Sequence, residues 1–150
     1  MASPDDTSSK PPEPAPSAEE LLTNPVVRNA LDQAWLDSLP NDPQQRHEEG
    51  GWIYFNTITR EVLVRRAPRG MESQVILENP PIIPDAVIVG IFHTHPNPST
   101  EGWDPGPSDW DRFADDRDGI PDLIRADNGV HFSGPKRRRG GLAGGPGIPP

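Results

Sequence analysis

Seven apolar residues in a row, Ala86-Val87-Ile88-Val89-Gly90-Ile91-Phe92, run directly into His93-Thr94-His95-Pro96. A strand exposed on one face would alternate apolar and polar residues. An unbroken run this short, rich in β-branched residues, predicts a strand buried on both faces, and such a strand belongs at the centre of a sheet. Whatever else the chain does, it must supply neighbours for that strand. Side chains two apart on a strand project to the same face, so His93 and His95 leave the end of it together.

The neighbours are legible on both sides of the run. Asn24-Pro25 is an N-cap followed by proline at the first helical position, and Val26, Val27, Ala30, Leu31, Ala34, Trp35 and Leu39 follow at three- and four-residue spacings. That pattern predicts an amphipathic helix over 25–38, ended by Pro40. Residues 51–55 and 61–66 predict a hairpin across the polar turn 56–60, and residues 74–77 a third short strand. After a twelve-residue loop from Pro96 to Pro107, residues 108–115 predict a short helix. Residues 123–126 and 129–132 predict a closing hairpin around Asp127-Asn128-Gly129. The expected fold is α+β, a mixed β-sheet flanked by helices.

The ends differ from the middle. Residues 1–20 hold five prolines and four serines and no Leu, Ile, Val, Phe, Tyr or Trp, too little apolar surface to offset the entropy of ordering. The expectation is a disordered, acidic Pro/Ser-rich tail over 1–23, one domain over 24–134 and a flexible basic Gly/Pro-rich tail over 135–150. Residues 21–135 carry a net charge of −9, which repels a phosphate backbone, so no nucleic acid is expected to bind through the core. No apolar run reaches the ~18 residues of a membrane span. The first ten residues lack the basic-then-apolar pattern of a secretory signal. A cytoplasmic setting is expected, with a signal-independent secretion route left open. The oligomeric state is not legible.

There is no cysteine, so a metal would have to be held by histidine and carboxylate. His93 and His95 can share one zinc. A catalytic zinc takes three protein ligands and leaves one position for water, and an acidic residue on the first turn of the 108–115 helix can be the third. Ser108-Asp109-Trp110-Asp111 also has the form of a capping box, with Ser108 at the N-cap and Asp111 three residues on. The two roles are compatible. His47-Glu48-Glu49-Gly50-Gly51, just before the first strand, offers a carboxylate base. His131 alternates with Val130 and Phe132 and is read as structural or exposed, His47 as a solvated neighbour of Glu48. Trp103, in the long loop, either covers the site or packs on the sheet.

Together and in this order, Glu48-Glu49-Gly50-Gly51, Val89 to Pro96 and Ser108 to Asp111 resemble the three-part motif of the JAMM (MPN-plus) metallopeptidases, in element order across roughly residues 25–134. The resemblance implies a cytidine-deaminase-like, MPN-type architecture and a zinc (Zn²⁺) cofactor held by His93, His95 and Asp111. It implies Glu48 as general acid/base, Ser108 as the hydroxyl that stabilises the oxyanion, and hydrolysis of a peptide or isopeptide bond in a peptide or protein substrate. The 96–107 loop is longer than usual for the family, which keeps Asp104 and Asp109 open as ligands, and Glu49 stays open as the base. The insertions that grip ubiquitin in eukaryotic members are not evident. The resemblance also extends to JAMM-like binding modules without turnover and to small bacterial domains attached to toxin or secretion systems.

Overall fold

Among residues 11–149, which the computed structural model describes, three helices and five strands follow one another. They are α1 (Ala18–Thr23), α2 (Pro25–Asp37), β1 (Gly50–Asn56), β2 (Val62–Arg66), β3 (Ala86–His95), α3 (Asp109–Asp118), β4 (Asp122–Ala126) and β5 (Gly129–Ser133). The apolar run is β3, and it lies in the middle of the order β2-β1-β3-β4-β5. Only its last residue, His95, escapes full burial. β3 is antiparallel to β1 and parallel to β4, so the sheet is mixed and the fold α+β, as expected.

Local chemistry accounts for the helices. The Asn24 side chain accepts from the backbone N–H groups of Val26 and Val27 at the head of α2, and Pro25 sits where no N–H is needed. Val27, Leu31 and Ala34 turn inward and join Ile53, Val89, Phe92 and Leu123 in one core. Burial of each larger aliphatic side chain there contributes roughly 1.5–3 kcal/mol. On the other face of the sheet Trp52, Tyr54, Ile88, Ile91 and Ile120 form a second core. The register of β1 on β3 slips between Ile53 and Tyr54, so Ile53 faces Gly90, Tyr54 faces Ile88, and Val89 is the extra residue of a bulge. The slip lets Ile88 and Ile91, three apart, share a face. It sends His93 and His95 out on that second face, and Thr94 toward Ser38 at the end of α2, where the two hydroxyls lie 2.6 Å apart.

Three sequence expectations need correction. Residues 74–77 form no regular element and pair with no strand among the described residues; Val75 and Leu77 are half-buried and line a cleft instead. The tails depart further. Disorder of residues 1–10 lies outside the described residues, but 18–23 form a helix, capped reciprocally by Ser17 and Glu20. Ala15, Ala18 and Leu21 enter the first core together with Leu142 of the other tail. Each tail orders its opposite: Ala18 N–H donates to the Lys136 carbonyl at 2.8 Å, Leu142 N–H to Glu13 at 2.9 Å, and the Arg137 guanidinium to Ala15 at 2.8 Å. Composition read one end at a time misses this, because the pairing is long-range.

The basic tail also answers a demand created at β3. The backbone N–H of Ile88, beside the bulge, donates to the Pro146 carbonyl at 3.0 Å. Its carbonyl accepts from Arg138 Nη1 at 2.7 Å. The Arg138 side chain is almost fully buried and donates further to Gly141, Gly145 and Gly147. A guanidinium with five fixed donors is suited to gathering several carbonyls at once. Replacement of Arg138 by leucine leaves the buried Ile88 carbonyl and the three glycine carbonyls without this donor. It should lower the unfolding free energy by about 2–4 kcal/mol, measured by urea denaturation.

Candidate metal centre

The sequence Glu48-Glu49-Gly50-Gly51 is built for close approach. Gly50 stands opposite His93 in the ladder. A Cβ there would lie 2.6 Å from the Phe92 carbonyl oxygen, and one on Gly51 would lie 2.2 Å from that of Arg65. With glycine at both positions, β1 closes onto β3 and the residues just before it reach the end of the histidine strand. Glu48 N–H donates to Met71, and its carbonyl accepts from Gly70. Glu48 then turns into the site while Glu49 turns away. The Glu49 carboxylate is held by Arg66 at 2.7 Å and by His47, which settles the direction of each neighbour. His47 is buried in this contact rather than solvated.

Both imidazoles are oriented by what their Nδ1 atoms touch. His95 Nδ1 lies 3.3 Å from the Pro105 carbonyl oxygen, which can only accept, so Nδ1 carries the proton. His93 Nδ1 lies 3.1 Å from the buried Asp122 carboxylate. Each ring therefore presents Nε2 to the interior of the site, the arrangement in which an outer partner fixes the tautomer of a ligating histidine. The Pro105 carbonyl belongs to the long 96–107 loop. Its extra length brings the chain back to His95.

Asp111 completes the set. Ser108 Oγ accepts from Asp111 N–H at 3.0 Å and Asp111 Oδ2 accepts from Ser108 N–H at 3.0 Å, a reciprocal cap on α3. The same Oδ2 stands 3.5 Å from His93 Nε2 and 3.4 Å from His95 Nε2. The two Nε2 atoms are 3.1 Å apart. Four ligands placed tetrahedrally at zinc-like distances of ~2.0–2.1 Å stand about 3.3 Å from one another. The three atoms thus form a triangle of the size and donor type that one face of a tetrahedral site requires. Glu48 Oε2 lies 3.9 Å from His95 Nε2, beside the triangle. Of the open alternatives, Asp109 projects fully into solvent, and Asp104 Oδ1 accepts from Gly106 N–H in its own turn. His131 is bonded to Asn128.

The electrostatics favour positive charge at the centre of the triangle. Burial opposes ionisation of Asp111, but hydrogen bonding to His93 and His95 wins and holds its carboxyl well below the usual range. Burial also opposes a charged His93, yet the charge of Asp122, hydrogen bonds to Asp111 and Asp122 and the charge of Glu48 raise its pKa well above the ordinary value. A site that draws a proton onto a fully enclosed imidazole is one where a cation is welcome. Burial pushes Glu48 up to about 7, with Asp111 and Asp122 adding to it and the two histidines opposing.

Asp122 and Asp115 are the residues that sequence reasoning missed. Asp122 opens β4, the parallel neighbour of β3, and Asp115 lies one turn beyond Asp111 on α3; both are buried. Burial drives the Asp115 carboxyl well above the usual range, and the Asp122 charge adds to the shift. The signal for Asp115 was its four-residue spacing from Asp111. For Asp122 there was none until the strand order was known. Along its rim the site opens into a 580 Å³ cleft lined in part by Ser108, Trp103, Trp110 and residues 73–78.

No family model, curated protein or solved structure matches this chain. Asp122→Asn exchanges an acceptor for an amide of the same shape and frees the His93 ring to change tautomer. It should weaken divalent-metal affinity ~10–100-fold, measured by competition with a chromophoric chelator, with secondary structure unchanged.

Proposed function

We propose that this chain is a zinc-dependent hydrolase of the JAMM type, cleaving a peptide or isopeptide amide bond. The observation that carries the reading is the triangle of His93 Nε2, His95 Nε2 and Asp111 Oδ2, with edges of 3.1, 3.4 and 3.5 Å and the Glu48 carboxyl beside it. Helix, hairpin, histidine-bearing strand, helix and closing hairpin also follow in the order that the resemblance implies, which supports an MPN-type architecture.

His93, His95 and Asp111 would hold the zinc. Zinc supplies Lewis acidity, lowering the pKa of water to ~7 and drawing charge from the scissile carbonyl. The residues of the chain do the rest. Glu48, with a pKa near neutrality, takes a proton from the attacking water as the new C–O bond forms. It returns that proton to the leaving nitrogen as the C–N bond breaks, and so ends the cycle as it began. Ser108 Oγ already accepts from Asp111 N–H, which leaves its own O–H to donate to the negative charge growing on the carbonyl oxygen. Asp122 and the Pro105 carbonyl keep the rings from rotating.

Glu48→Gln keeps the shape of the side chain and removes the base. Hydrolysis of a cleaved peptide should fall at least ~10²–10⁴-fold, while zinc measured by atomic spectrometry stays near one ion per chain. Full activity in the variant would remove Glu48 from the mechanism. A zinc-loaded wild-type chain that cleaves no amide would leave only a binding module.

A further inference from the structure

The walls of the cleft carry aromatic surface that the fold does not use. Of the large apolar side chains left exposed, Trp110 (64%), Phe113 (58%) and Trp103 (39%) gather at one place. Trp103 and Trp110 line the cleft together with Val75, Ile76 and Leu77. Phe113 packs against Trp110 with ring centroids 5.7 Å apart. Arg117 lies over both rings, at 5.9 and 5.7 Å, and is itself tied to Asp118 at 3.0 Å. Trp110, Phe113 and Arg117 recur at three and four along α3, on the flank beside the face that presents Asp111 and Asp115. The stripe therefore runs outward from the metal ligand itself.

Exposed apolar surface concentrated in this way marks a contact site, and rigid tryptophan held by its neighbours is the commonest anchor of such sites. We propose that Trp110, with Trp103 and the 75–77 segment of the same cleft, is a subsite for one large apolar or aromatic side chain of an extended peptide. The peptide is thereby held across the Glu48–His95–Asp111 cluster. This deepens the hydrolase reading and rests on it for the direction in which the peptide runs. Continuity with the cluster identifies the occupant: the same cleft that exposes Ile76, Trp103 and Trp110 has Glu48, His95 and Asp111 in its lining. Charge narrows it further. Glu78, Asp104 and Asp118 also line the cleft, and its one guanidinium, Arg117, is paired. An acidic residue at the anchor position is repelled, a bulky neutral one is not.

The test separates docking from chemistry. Blocked pentapeptides acetyl-Gly-Gly-Xaa-Gly-Gly-amide, with Xaa as Trp, Phe, Leu, Ala or Glu, are titrated by calorimetry into the zinc-loaded full chain bearing Glu48→Gln, so that no turnover intervenes. Peptides with Trp, Phe or Leu should bind at least tenfold more tightly than Ala, with Glu weakest. In a Trp110→Ala background the spread should collapse to within about threefold, while Trp110→Phe keeps it. A thermal melt of each variant confirms that the fold is intact, as expected for a side chain largely in water. Affinities independent of Xaa, no measurable binding, or a spread that survives Trp110→Ala would each overturn the subsite. Selective, Trp110-dependent binding with no cleavage of the same peptides by the wild-type chain would uphold the subsite and remove the hydrolase. Cleavage without selectivity would do the reverse.

Discussion

A strand carrying Ala86 through Phe92 can be hidden from water only with strands on both edges and a core on each face, and the other elements are arranged around that need. β1 and β4 take the edges, α1 and α2 cover one face, and Trp52, Tyr54 and Ile120 cover the other. The bulge at Val89 then creates a local debt in hydrogen bonds at Ile88, met by Pro146 and Arg138 from the far end of the chain. Burial of one strand thus fixes the sheet order and explains why a segment rich in glycine and arginine is ordered at all.

The same strand sets the geometry of the site. His93 and His95 leave β3 on the face away from α2, and parallel pairing with β4 sets Asp122 behind one ring while the long loop sets Pro105 behind the other. α3 brings Asp111 by its first turn and Asp115 by its second. Carboxylates crowd the rings so closely that burial, which ordinarily expels charge, is overridden at His93 and at Asp111. It prevails at Glu48 and Asp115, both of which are pushed up. One small region therefore keeps two carboxyl groups apart in proton affinity, the condition for one to carry charge while another exchanges a proton at neutral pH.

The strong local signals in the sequence were readable. The apolar run, the Asn24-Pro25 cap, the hairpins and the Ser108–Asp111 cap all lie where short-range rules put them. His93, His95, Asp111 and Glu48 come together as their motif suggested, and the Gly50 and Gly51 contacts explain why the glutamate precedes two glycines. What could not be read was non-local. Residues 74–77 have β-forming composition but pair with neither edge strand, β2 or β5, among the described residues. The tails hold few apolar residues, yet Ala18 meets Lys136, Leu142 meets Glu13, and Leu21 and Leu142 share one core. His47 is buried because Glu49 is beside it. The roles of Asp122 and Pro105 depend on which strand and loop are neighbours in space, information that no window of sequence holds.

The proposed function requires that His93 Nε2, His95 Nε2 and an Asp111 carboxylate oxygen surround one ion. Anomalous diffraction collected on either side of the zinc edge, from crystals of the zinc-loaded chain, tests it most directly. A single strong peak is expected within ~2.0–2.2 Å of His93 Nε2, His95 Nε2 and an Asp111 carboxylate oxygen, with Glu48 outside the coordination sphere. A peak bound elsewhere, or none between the two rings, would contradict it.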